Sequence, residues 1–200
     1  MNNETLLNNL EEIIGKEALN AFVTIKGIKK GAYINVHPDM EERLDNLLEE
    51  KGVFYKKIRT KWRTENTIYP YIAYFISKTQ NPNKWFRNNV NMTSGSFDQL
   101  VGFFLGFEAV YDLTKNQPCS KGWVISIKAF ENGNRMGNIF SSSYEQNLEK
   151  IRNYSILDFC WIGDFEKIKE KMLKIRQQYD LELQKYFPNR FFIKLYITKS

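Results

Sequence analysis

Between Pro38 and Ser77 the chain changes its hydrophobic period and, with it, the sign of its charge. Met40, Leu44, Leu47 and Leu48 recur at helical spacing. Pro38 suits a first helical position and Gly52 closes the run, so the pattern predicts a helix over 38–50. Its outer face is acidic, with Asp39, Glu41, Glu42, Asp45, Glu49 and Glu50. The stretch that follows, Val53 to Arg59, reads as a strand, and five cations (Lys56, Lys57, Arg59, Lys61 and Arg63) crowd the eight positions from Lys56 to Arg63. In an extended chain Tyr55, Lys57, Arg59 and Lys61 share one side, while Phe54, Lys56 and Ile58 point to the other. An acidic helix leading directly into a cationic strand admits two outcomes. Either the two charge sets neutralise each other within the fold, or the cations remain outside as a surface.

The rest of the chain supplies the elements around this pair. Leu6, Leu7, Leu10, Ile13 and Ile14 mark an amphipathic helix over 4–14 that ends near Gly15. Ala21 to Lys26 and Ala32 to Val36 read as strands of a hairpin joined by "KGIKKG". Ile68 to Ser77 reads as a strand whose Pro70 favours an edge or a strand start. The polar connection after it reads mostly as an extended loop, with a short helical turn around Trp85. Ser96 and Gln99 have capping-box spacing before "FDQLVGFFLGF", which predicts a buried helix. Trp123 to Phe130 suits a sheet interior. Ser142 and Glu145 predict a helix over 143–155, and Phe165, Ile168, Met172, Ile175 and Tyr179 a long one over 164–186 stopped by Pro188. The final "RFFIKLYIT" alternates as a strand.

This order lacks the strict alternation of a doubly wound parallel sheet. It predicts one α+β domain over residues 1–200: a largely antiparallel sheet of about five or six strands with helices packed mainly on one face. With 42% hydrophobic and 15% aromatic residues, a packed core is expected. Cys119 and Cys160 are the only cysteines, too few for a disulfide framework. No run approaches the roughly 20 apolar residues of a membrane helix, and the N-terminus lacks a secretory pattern, so the expectation is a cytoplasmic protein without membrane contact.

Charge is unevenly distributed. Residues 1–50 carry 10 acids and 5 bases, residues 51–90 carry 1 acid and 9 bases, and residues 91–200 carry 12 acids and 15 bases, so one short window exceeds the net charge of +6. Catalytic and metal constellations are weakly represented. His37 is the only histidine and precedes Pro38, where capping a helix start is its simplest role. Neither cysteine stands beside an activating group, and zinc-ligand and nucleotide-loop motifs are absent. Asp98, Glu108, Asp112 and Asp158 are the acids nearest apolar runs, but an isolated carboxylate carries little information without geometry. No catalytic residue, metal ligand or cofactor is assigned.

Two functional readings follow. The first is a noncatalytic interaction protein that binds a protein partner: a small inhibitor, immunity or accessory factor, including the kind encoded by viruses and mobile elements. The alternative is a nucleic-acid or nucleotide binder. Its anion-binding set would be Lys56, Lys57, Arg59, Lys61, Trp62, Arg63, Lys84 and Arg87, joined by Thr93, Ser94 and Ser96 at the mouth of the helix that opens at "TSGS".

Overall fold

The computed structural model describes residues 1–63, 68–89, 104, 123–132, 153–161 and 165–199. They form two compact units, Met1–Gln117 and Pro118–Ser200. In the first unit the elements are α1 (Asn3–Ile14), α2 (Ala18–Ile25), β1 (Ala32–Val36), a 3-10 turn (Pro38–Met40) leading into α3 (Glu41–Glu50), β2 (Phe54–Arg63), β3 (Ile68–Ser77) and α4 (Pro82–Asn89). The second holds β4 (Trp123–Glu131), β5 (Asn153–Trp161), α5 (Phe165–Tyr186) and β6 (Phe191–Lys199). The class is α+β with antiparallel pairing, as expected. The six strands do not join in one sheet, however: they divide into two sheets of three, ordered β1-β3-β2 and β5-β4-β6.

In the first sheet β3 is the central strand, so of the two positions that Pro70 favours, an edge or a strand start, it takes the second, as the third residue of β3. β1 pairs only with Ile72 to Ile76, so at Pro70 the strand has β2 alone beside it, opposite Lys61. The missing amide hydrogen is therefore tolerated beyond the end of β1. Ile72 through Ser77 are all buried, so β3 requires cover on both sides. α3 covers the face bearing Tyr74. Over the other face Phe75 packs against Phe86 of α4 and against Phe104, with ring centroids 5.0 and 6.1 Å away. Helices on both faces of this sheet replace the one-sided arrangement expected.

The strand expected at Ala21–Lys26 is helix α2. Seven of its eight residues are buried, and a short run that is apolar all round has no periodicity to separate helix from strand. Gly27, at φ 73°, ends it: the Gly27 amide donates to the Thr24 carbonyl and the Ile28 amide to that of Val23. This is a helix-terminating motif, and the "KGIKKG" read as a hairpin turn supplies its glycine. Gly52, at φ 59°, ends α3 in the same way, its own amide bonding the Glu49 carbonyl and that of Val53 the Leu48 carbonyl.

In the second unit α5 packs against β6 and buries its own Ile168, Met172, Tyr179 and Leu183, while Ile125, Ile127 and Ala129 of β4 and Ile193 of β6 are buried in the same unit. Burial pushes the Tyr179 hydroxyl up to about 12. An ion pair from Arg190 to Glu131, 2.7 Å long, ties the α5–β6 turn to the end of β4, and the Arg190 guanidinium lies over Phe191 at 5.0 Å. Strand β5 was not anticipated. Its first residues, Asn153 to Ser155, fall within the helix predicted for 143–155, whose other residues lie outside those described. The helix predicted from Ser96 also lies outside them, apart from Phe104, which is helical and buried.

Candidate functional site: the seam between helix α3 and strand β2

Glu41, Asp45 and Glu49 stand four residues apart along α3, one above another on a single stripe. Tyr55, Lys57 and Arg59 stand two apart on one side of β2. Four helical residues advance about 6 Å, and two strand residues about 6.6 Å. The two rows therefore stay in step over three positions. Arg59 Nη2 donates to Glu41 Oε2 at 2.6 Å, Lys57 Nζ to both Glu41 Oε1 and Asp45 Oδ2 at 2.7 Å, and the Tyr55 hydroxyl to Glu49 Oε1 at 3.1 Å.

β3 closes the seam. Tyr74, the partner of Lys57 in the β2–β3 register, donates its hydroxyl to Asp45 Oδ1 at 2.8 Å. All four carboxylate oxygens of Glu41 and Asp45 are thus engaged by side chains of the same unit. Desolvation alone would lower the Lys57 ammonium, but its bonds to Asp45 and Glu41 outweigh it and hold the group above its ordinary 10.5. The hydrogen bond from Lys57, reinforced by the charges of Lys57 and Arg59, holds the Glu41 carboxyl below its ordinary 4.5. Burial first, then the bond to Asp45, raises the Tyr74 hydroxyl far above 10.0. Such a site holds protons firmly in place; it does not exchange them near neutrality.

The remaining residues of the proposed anion-binding set are scattered. Lys56 points to the opposite side of β2, its Nζ 5.3 Å from the ring centroid of Phe86. Lys84 and Arg87 are exposed on α4. Lys61, Trp62 and Arg63 complete β2, opposite Pro70, Tyr69 and Ile68, and their side chains lie outside the description. Thr93, Ser94 and Ser96 lie outside the described residues altogether. His37 caps the turn before α3, its Nδ1 accepting from the Asp39 amide at 3.4 Å. Among the described residues no group of three or more histidine, cysteine or acidic side chains could hold a metal ion, and no helix is long and apolar enough to cross a membrane.

Sequence reading placed Glu41, Asp45 and Glu49 together with the other acids on one outer face, and so missed that these three form the row turned toward β2. The signal was present as acids spaced by four followed by Tyr, Lys and Arg spaced by two. Sequence reading takes Tyr74, with Tyr69 and Tyr71, as aromatic surface beside the cations, whereas the Tyr74 ring is buried and its hydroxyl bonds Asp45. No family model, curated protein sequence or solved structure matches the chain.

Proposed function

We propose that the chain is a noncatalytic interaction protein, a small inhibitor or accessory factor that acts by binding a protein partner. One observation carries this reading: Lys57, Arg59 and Tyr74 engage all four carboxylate oxygens of Glu41 and Asp45 of α3, so this ionisable cluster serves as a joint in the fold. A phosphate bound at Lys57 would have to compete with the two carboxylates that already meet it at 2.7 Å. A general base there would have to give up bonds that stabilise its ionised form.

The nucleic-acid reading retains one favourable feature, the exposed pair Lys84 and Arg87, three residues apart on α4 on the same side of β2 as Lys56. Two experiments decide between the readings. The purified chain, used as bait in an extract of its source cells with cross-linking, is expected to recover a protein at stoichiometric yield. A titration with mixed oligonucleotides at ~50 mM salt is expected to show no binding. Failure to recover a partner, together with salt-sensitive oligonucleotide binding abolished by Lys84→Glu with Arg87→Glu, would replace the first reading by the second.

A further inference from the structure

The two margins of the second sheet are unlike. β5 pairs with β4 through an irregularity at Ile127 and Lys128 and carries exposed Asp158, devices that discourage a further strand. β6 pairs with β4 over nine residues, from Phe191 to Lys199, without a register shift, and among the described residues it has no second neighbour. Beside it runs an open groove of about 460 Å³ lined by α5 and β6 and by no residue of β4, which places it at the outer margin of the sheet. Leu173, which is 42% exposed, and Leu195 and Ile197 give it an apolar floor. Lys169 and Arg176 stand on its helical side, and the Arg176 Nε is buried without a hydrogen-bond acceptor.

We propose that this groove receives an extended segment of a protein partner, alternating apolar and acidic residues, which adds to β6 as a fourth strand. This rests on the binding reading above and names its surface. Each part of the groove selects one property of the occupant. The unpaired side of β6 calls for extended backbone, and the floor takes every second side chain. Lys169 and Arg176 on the helical side, with no acid among the described lining residues, favour carboxylates on the occupant. A second copy of this chain fits poorly. β6 carries Lys194 and Lys199 and no acid, and α5 carries five cations against two acids from Phe165 to Arg176, so self-pairing would bring like charges together.

The test uses the full chain and a fluorescent peptide of alternating Glu and Val, matched in length to β6, with a Lys-Val peptide as its counterpart. The Glu-Val peptide is expected to bind and to slow hydrogen exchange at the β6 amides, and the Lys-Val peptide to do neither. Leu173→Asp and Arg176→Glu should each weaken binding by about tenfold or more. Leu181→Asp, on the same helix at a position 69% exposed and outside the groove, should leave it unchanged. Equal affinity for both peptides, no binding of either, or equal loss in the Leu181 variant overturns the proposal. So does a concentration-dependent dimer in sedimentation with β6 amides protected, which would make the second copy the occupant. If the Leu173 and Arg176 variants still recover the cellular partner at full yield, the groove is refuted while the binding reading stands. If the native chain recovers no partner yet binds the Glu-Val peptide selectively, the groove stands and the wider reading fails.

Discussion

Two places in this molecule set a helix beside a basic strand, and they finish differently. At the α3–β2 seam an acidic stripe on the helix meets the cations at matched spacing, so the charge is consumed inside the unit. At the α5–β6 groove the helix is itself basic, so Lys169 and Arg176 line an open groove beside the strand, with no acidic residue among the described residues that line it. Counting cations along the sequence does not distinguish these cases. What matters is whether the neighbouring element carries the opposite charge at the spacing its own geometry requires.

The contrast breaks first at Asp45. Asp45→Ala removes the acceptor of Tyr74 and one partner of Lys57, and it should cost about 2–3 kcal/mol in urea unfolding, because two polar groups lose their bonds in a largely covered position. Tyr74→Phe removes one bond of that pair and keeps the ring, with an expected loss of about 1–2 kcal/mol. At the groove, Lys169 meets Glu166 at 3.7 Å and lies 5.4 Å from the Phe165 ring centroid on open helix surface, so Lys169→Ala should change stability by less than about 1 kcal/mol. Arg59→Ala should be similarly mild, since its side chain is 71% exposed even though it reaches Glu41.

Acidity sharpens the same comparison. Glu41 has a depressed value in the folded state, so its contribution is complete above the ordinary 4.5 and is lost as the pH falls through the folded value. Lys57 and Tyr74 have raised values. Their contributions are complete below 10.5 and 10.0 respectively and are lost as the pH climbs past those points. Unfolding midpoints followed against pH should therefore be level between about 5 and 10 and fall on both sides. Asp45→Ala should shrink the alkaline fall, because Tyr74 then loses one of the causes that hold its proton. An unchanged alkaline limb would show that burial alone sets the Tyr74 value.

Much of this architecture is legible in the residues, and the failures have physical causes. Pro38 and Gly52 bracket α3, and Ile68 to Ser77 stands as read, because caps and long periodic runs act locally. α2 was misread because burial on all sides erases the helical period, leaving Gly27 as an ambiguous punctuation mark. β5 was obscured by a capping-box pattern upstream, which carried a helical expectation into Asn153 to Ser155. The facing row of Tyr55, Lys57 and Arg59 follows from alternation alone. Their partners required a tertiary choice between an outward patch and an internal joint. The α5–β6 groove had no local signature, because an edge strand is defined by what fails to pair with it.

The central claim is that opposite charges on α3 and β2 hold each other. A double-mutant cycle on Asp45→Asn and Lys57→Met, followed by urea unfolding, measures it most directly. Coupling of about 1 kcal/mol or more at low salt, shrinking as salt is added, is the predicted result. Costs for the two single changes that simply add in the double variant would contradict the claim and return Lys57 to the set of available cations.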